Sequence, residues 1–181
     1  KESTLVEMFK GGTAAQFFFD ATKYHHYHAP VSGKIIHAEN VKGILYAIDE
    51  QNGMRNKENN TKDLDGWLKY GQKGLLDTQV YLAHVSSRSV VVINNKLLGP
   101  VAVVLVGMTE ISSCLLDQKI KGYQDQPTYV EKGEHIGNFQ YGGSSGLIVL
   151  SKKAVQMKKE PFWDMNLLSD DIKLGEPIIK L

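Results

Sequence analysis

The longest apolar run in the sequence, Val101 to Met108, is only eight residues long. That is well short of the roughly 18 residues of a membrane-spanning helix and suits a buried strand. The rest of the chain has the same short rhythm. Ala14 to Phe19 is an apolar run bounded by Gly11, Gly12 and Asp20, as a strand would be. Val31 to Tyr46 contains Gly33 and Gly43 and alternates like a pair of strands. Thr78 to Ile93 is rich in Val and Ser, Asn94-Asn95 reads as a turn, and Val101 to Ile111 reads as the returning strand of a hairpin. Tyr129 to Asn138 is a turn carrying Gly133 between two apolar pieces, and Gly146 to Leu150 is a further strand.

Two polar stretches, Asn52 to Gly66 and Gln118 to Pro127, read as loops. The first is long enough to be expected mobile and lid-like. Helix signals are confined to Lys1 to Phe9 and, ambiguously, Ala154 to Phe162. A faint pairing of Ala29 to Ile35 (APVSGKI) with Glu131 to Phe139 (EKGEHIGNF) suggests the two halves of a lipoyl-like fold. The expected architecture over residues 1–181 is therefore a mainly β single domain. It would be a sandwich or barrel with lipoyl-like (barrel-sandwich hybrid) elements and few short helices.

Composition removes several functional classes. With 21 Lys and Arg against 20 Asp and Glu, the net charge is +1, which gives no basic footprint for nucleic acid. A lone cysteine, Cys114, excludes an internal disulfide framework and a multi-cysteine zinc site. Residues 1–10 contain no secretory apolar segment, so a cytoplasmic or peripheral membrane location is expected rather than secretion. The first residue is Lys, and the sequence is expected to be a fragment of a longer precursor.

Two segments can carry chemistry. In Tyr24-His25-His26-Tyr27-His28-Ala29-Pro30, three of the six histidines fall within four residues. On a strand, His26 and His28 share a face and His25 takes the other; in a turn, His25 and His28 converge. Three readings stay open from these residues: hydrogen-bonded histidines on a half-exposed strand, proton transfer, or metal binding. The metal reading needs a third ligand that nothing local supplies, and no metal is expected. The second segment is Tyr141-Gly142-Gly143-Ser144-Ser145-Gly146. Its glycines free the backbone for strained angles. A hairpin turn and a nucleophilic serine are both compatible with it. A hydrolase elbow fits poorly, because a strand rather than a helix follows.

Taken together, the two segments resemble the phosphatidylserine decarboxylase family. The family's Tyr-His-x-x-His-x-Pro motif is matched by Tyr24 to Pro30, followed by Gly33. Phe9-Lys10-Gly11-Gly12-Thr13 looks like the family's approach to that motif. Lys132-Gly133-Glu134-His135-Ile136-Gly137-Asn138-Phe139 and Gly142-Gly143-Ser144-Ser145 resemble its Lys-Gly-Glu-x-x-Gly-x-Phe and Gly-Gly-Ser-Thr motifs. Val104 to Cys114 is similar to its core strand. The Gly-Met-Thr-Glu-Ile-Ser-Ser-Cys string and the Gly-Gly-Ser-Ser variant are closer to a branch with soluble fungal tryptophan decarboxylases.

The resemblance implies a pyruvoyl-dependent enzyme that makes its own cofactor. Self-cleavage at Gly143-Ser144 would give fragments 1–143 and 144–181, which stay associated, with Ser145 as the alternative register because it stands where the family has Thr. Ser144 would become a covalently bound pyruvoyl group that forms a Schiff base with the substrate amine and takes up electrons as CO₂ leaves. His28 would be the base for cleavage and His25 the acid for decarboxylation. Asp20 lies near the motif but matches no family aspartate. An apolar wall that buries the substrate carboxylate favours its loss, and Tyr24, Tyr27 and Phe18 are its candidates. The implied substrate is phosphatidylserine, or alternatively a free aromatic amino acid such as tryptophan. Contact with a membrane surface and homodimerisation both remain open. Outside this class stand a non-catalytic lipoyl-like binding module and a serine hydrolase using Ser144 with His28, neither of which would cut its own chain.

Overall fold

In the computed structural model of the chain, the structure describes residues 2–19, 24–44, 81–107, 113–140 and 144–157. Nine strands form two antiparallel sheets among these residues. The first sheet contains β1 (Thr13–Phe19), β3 (Gly33–Val41), β4 (Arg88–Asn95), β5 (Gly99–Val106), β7 (Tyr129–Val130) and β9 (Ser144–Leu150), in the order β1-β9-β5-β4-β3-β7. The second contains β2 (His26–His28), β6 (Ser113–Leu116) and β8 (His135–Gln140), in the order β2-β8-β6. Helices are short: α1 (Glu2–Phe9), α2 (Gln118–Lys121) with a 3₁₀ turn at Gly122–Gln124, and α3 (Lys152–Gln156). The fold is mainly β, as expected, and the sheets do not close into a barrel.

The sheets face each other across one core. Ile35, Val91, Ile93, Val103, Leu105 and Val130 from the first sheet pack on Tyr27, Leu116, Ile136 and Phe139 from the second. Ile120 of α2 closes the same cluster. A second cluster of Leu98, Val101, Ile148, Leu150 and Ala154 joins β5 and β9 to α3. In β4 and β5, Val92 and Ala102 are buried although their parity is opposite to that of Val91 and Val103. Strands covered on both faces lose hydropathic alternation, which is why Val101 to Met108 reads as a continuous run.

The structure corrects several boundaries. Of the segment expected as a pair of strands, the described residues 31–44 contain one strand with a bulge between Ile35 and His37, and Ile44 makes an isolated bridge to Ser86. Residues 81–85 are helical, so the Val-rich segment becomes a strand only at Arg88. Gln118 to Pro127 is not a simple loop: burying Ile120 winds its first part into α2. Ala154 lies inside α3, which ends at Gln156. The segment from Asn52 to Gly66 lies outside the described residues.

The β4–β5 hairpin exists, but Asn94 and Asn95 are strand residues and the turn follows them. Asn95 organises it. Its Oδ1 accepts the backbone N–H groups of Leu97 and Leu98, both at 2.9 Å, and its Nδ2 donates to the Ser32 carbonyl at 2.8 Å. Gly99, at φ 74°, completes the turn in the left-handed region. Asn95→Ala strands these groups and is expected to cost about 1–3 kcal/mol, read as a lower urea midpoint at constant slope. An unchanged midpoint would show that water replaces the side chain.

Candidate functional site

The His segment forms β2 and lies along β8. Strand alternation holds: Tyr27 points into the core, 4% exposed and edge-on to Phe139 at 4.4 Å, while His26 and His28 take the opposite face. His25 meets Phe139 edge-on at 6.2 Å, on the Tyr27 side. Tyr24 stands over the outer face, stacked on His26 (5.0 Å) and His28 (5.8 Å).

The partners set the tautomers. His28 Nδ1 lies 2.8 Å from the Gly133 carbonyl, which only accepts, so Nδ1 carries the proton. His28 Nε2 is then the basic nitrogen of the neutral ring, and the Tyr24 hydroxyl donates to it at 2.7 Å. The Gly133 turn is itself pinned. Ala29 N–H donates to the Glu134 carbonyl and Gly133 N–H to the Ala29 carbonyl, each at 2.8 Å. The Glu134 carboxylate accepts the Glu131 N–H at 2.8 Å and pairs with Lys119, whose hydrogen bond holds that carboxyl below the usual range. Gly133, at φ 86°, takes a backbone angle that other residues rarely adopt.

Two further residues join this face. His135 Nδ1 donates to Asp117 Oδ2 at 2.8 Å, and His135 Nε2 lies 2.8 Å from His26 Nδ1. Sequence reasoning gave neither His135 nor Asp117 a role. The β2–β8 register slips between Tyr27 and His28: Tyr27 is opposite Gly137 and His28 opposite His135. The extra residue on β8 is Ile136. This bulge lets both Ile136 and Phe139 reach the core, and it turns His135 outward beside His26. The only advance signal was a histidine inside the Lys132 to Phe139 segment.

The serine segment is reached from the same strand. Gln140 ends β8 and Ser144 opens β9, four residues on and thus within about 14 Å. Ser144 pairs with Phe19 of β1. Ser145 is fully buried, flanked in the sheet by Phe18 and Val106, and its Oγ accepts from Gln16 Nε2 at 2.9 Å. A β-carbon at Gly146 would lie 2.5 Å from the Phe17 ring, so that ring lies directly on the β9 backbone. Tyr141, Gly142 and Gly143 lie outside the described residues, as do the side chains of Ser144 and Phe18.

Of the expected wall, Tyr24 is 48% exposed on the outer face, whereas Tyr27 is core. Burial pushes the Cys114 thiol up to about 12, so it is not a thiolate nucleophile at neutral pH. No group of three or more metal-ligating side chains occurs among the described residues. None of the described helices is long and apolar enough to cross a membrane.

The fold is thus two antiparallel sheets in which the histidine strand is laddered to β8, the strand that precedes Ser144 in the chain. The family described as phosphatidylserine decarboxylase matches residues 1–180. The chain belongs to that family. It is similar to L-tryptophan decarboxylase of Psilocybe cubensis, 32% identical over 146 residues, covering 80% of this chain and 30% of the relative. It is also similar to decarboxylase iboD of Amanita muscaria, 34% identical over 158 residues, covering 85% of this chain and 41% of the relative. Phosphatidylserine decarboxylase proenzyme 2 of Oryza sativa subsp. japonica is 24% identical over 170 residues, covering 94% of this chain and 22% of the relative. The chain thus spans between 30% and 41% of the length of the two fungal relatives. No solved structure matches it.

Proposed function

We propose that this chain is the self-cleaving core of a pyruvoyl-dependent decarboxylase acting on an amino-acid head group. The observation that carries the reading is the course of the chain: β8, paired with the histidine strand, leads within four residues to Ser144 at the head of a central strand. The local chemistry fits a cofactor made from the chain itself. Ser144 is the first residue of its ladder, whereas Ser145 is hydrogen-bonded and held between two strands. A backbone rearrangement at 143–144 therefore disturbs the sheet least.

In the proposed maturation, the Ser144 hydroxyl gives up its proton and attacks the Gly143 carbonyl, and the peptide bond becomes an ester with a free Ser144 amine. Loss of the Ser144 α-proton expels the Gly143 carboxylate and leaves a double bond. Water then replaces the amine, released as ammonia, to give the pyruvoyl group. Bound to the 144–181 fragment, that group supplies an electron sink for decarboxylation. The fragment stays attached because β9 remains laddered to β1 and β5. Phe17, lying on the β9 backbone, supplies apolar surface beside the group.

His28 is the base for maturation in this reading. Its Nδ1–H is anchored by the Gly133 carbonyl, leaving Nε2 as the proton acceptor once Tyr24 yields it. His25 serves the decarboxylation. One observation favours exchanging the pair. The His25 carbonyl is bonded to Phe139 N–H at 3.0 Å, next to the end of β8, while His28 lies about 10 Å further along the strand. By substrate, the similarity to fungal tryptophan decarboxylase favours an aromatic amino acid over phosphatidylserine.

The test is the intact mass of each polypeptide after denaturation. Two masses dividing the chain between residues 143 and 144 are expected, and one uncut mass with activity present would refute self-cleavage. His28→Ala should leave the chain uncut, while His25→Ala should cut normally and lose at least about 100-fold in kcat. The reverse pattern assigns the base to His25.

A further inference from the structure

Resting on that reading, we propose that Gln16 is a positioning residue for self-cleavage and for the group that self-cleavage creates. Its side-chain amide holds Ser145, and Ser145 in turn fixes the backbone on the C-terminal side of residue 144. Gln16 Nε2 donates to Ser145 Oγ at 2.9 Å. In the β1–β9 ladder Gln16 is opposite Leu147, so its side chain reaches diagonally to Ser145, two residues nearer the start of β9.

The pair stands in apolar surroundings. Ser145 is fully buried, and Val106 lies opposite it on β5. Strand alternation puts Leu147 on the same side as Ser145, and Leu147 and Val104 pack there on Leu82 and Val106. Phe17, the next residue of β1, takes the other side, against Ile148 and Leu150. Two apolar side chains would serve the sheet as well as Gln16 and Ser145 do, because replacing both partners of a buried hydrogen bond by apolar groups of the same shape is nearly neutral. Stability alone therefore does not call for a polar pair beside this cluster, one residue from the cleavage point.

Before the cut, the bond fixes a reacting geometry. The Ser144 hydroxyl must reach the carbonyl of the residue before it, and a misplacement of about 1 Å in such an attack costs about 100-fold. Ser144 pairs with Phe19 of β1, and the ladder to β5 begins at Ser145. Ser145 is thus the first residue after the reacting bond that is laddered to both β1 and β5, and Gln16 adds a side-chain anchor at that residue.

After the cut, the link to residue 143 is gone, and residue 144 is joined to the chain only through the Ser145 nitrogen. Strand ends open locally at little free energy, and opening by one residue would release the group at position 144 from its place. Gln16 opposes that opening from a strand on the other side of the break: β1 belongs to the 1–143 fragment and β9 to the 144–181 fragment. The same hydrogen bond is therefore a side-chain tie between the two products. Gln16 moves no proton in either step; it acts through Ser145.

The test uses the whole protein, with three readouts. Gln16→Leu keeps the size of the side chain and removes the donor. It should cut itself about 10- to 100-fold more slowly than the wild type, and the fully cut variant should lose about tenfold in kcat with KM within about twofold. Ser145→Ala should slow cutting to a similar extent. The double variant should be no slower than either single one, since each removes the same bond. In hydrogen exchange, Ser145 N–H should exchange about tenfold faster in Gln16→Leu while Leu150 N–H is unchanged. A merely structural role would instead lower the urea midpoint and speed exchange along the whole of β9. Wild-type cutting and kcat in Gln16→Leu, additive losses in the double variant, or a uniform change in exchange overturns the proposal. Failure of the wild type to cut itself would refute the proposed function instead, and exchange at Ser145 would still decide whether Gln16 holds that residue.

Discussion

Ser144→Ala is expected to leave the chain as one uncut polypeptide with no decarboxylase activity. The substitution removes the hydroxyl that must attack the Gly143 carbonyl. Cys114, the one other strong nucleophile in kind, is held as a thiol by burial. Ser145→Ala should behave differently. The Ser145 hydroxyl is buried and bonded to Gln16, within a residue laddered on both sides, so its loss should slow cutting through a local shift rather than abolish it. Mass spectrometry of the small fragment decides the register: a fragment beginning at residue 145 would make Ser145 the cofactor precursor. If both variants still cut, the pyruvoyl reading fails entirely.

The largest effect on stability is expected at the centre of the core. Leu105 of β5 is fully buried among residues of both sheets. Leu105→Ala removes that packing and leaves a cavity whose walls are strands fixed by ladders, with little freedom to collapse. A loss of about 2–5 kcal/mol is expected, read from urea unfolding as a fall in midpoint with the slope unchanged. A loss under about 1 kcal/mol would show that the two sheets close over the gap. Because the same core holds Tyr27 and Phe139, the variant should also loosen the histidine strand. Faster hydrogen exchange at Phe139 N–H, which bonds the His25 carbonyl, would report that coupling.

Much of the fold was legible because strands announce themselves locally. Ala14 to Phe19, the Gly133 turn and the strand after Gly146 all stand near their expected bounds, and the Val-rich hairpin is present although its first strand starts late, since apolar runs and turn residues act over a few positions. The misplacements share one cause. Asn94-Asn95 looks like a turn in isolation, but the Asn95 side chain bridges to Ser32, 63 residues away, and stays in the strand. Gln118 to Lys121 looks like loop, but burying Ile120 against the core makes it helical.

The site divides in the same way. The sequence by itself determined the inventory: three histidines within four residues, a glycine-rich segment with two serines ahead of a strand at Gly146, one cysteine, and a family resemblance carried by ordered motifs. Only the tertiary structure decided which of these meet. It joined the histidine strand to β8, and so to the connection into Ser144. It sent Tyr27 into the core and Tyr24 to the surface, held His28 on the Gly133 carbonyl, and brought in His135 and Asp117. The physical reason is the bulge at Ile136. Sequence parity predicts which side of a strand a residue takes only while the register is regular. One extra residue, accommodated so that Ile136 and Phe139 can both be buried, reverses that parity and turns His135 to the outer face.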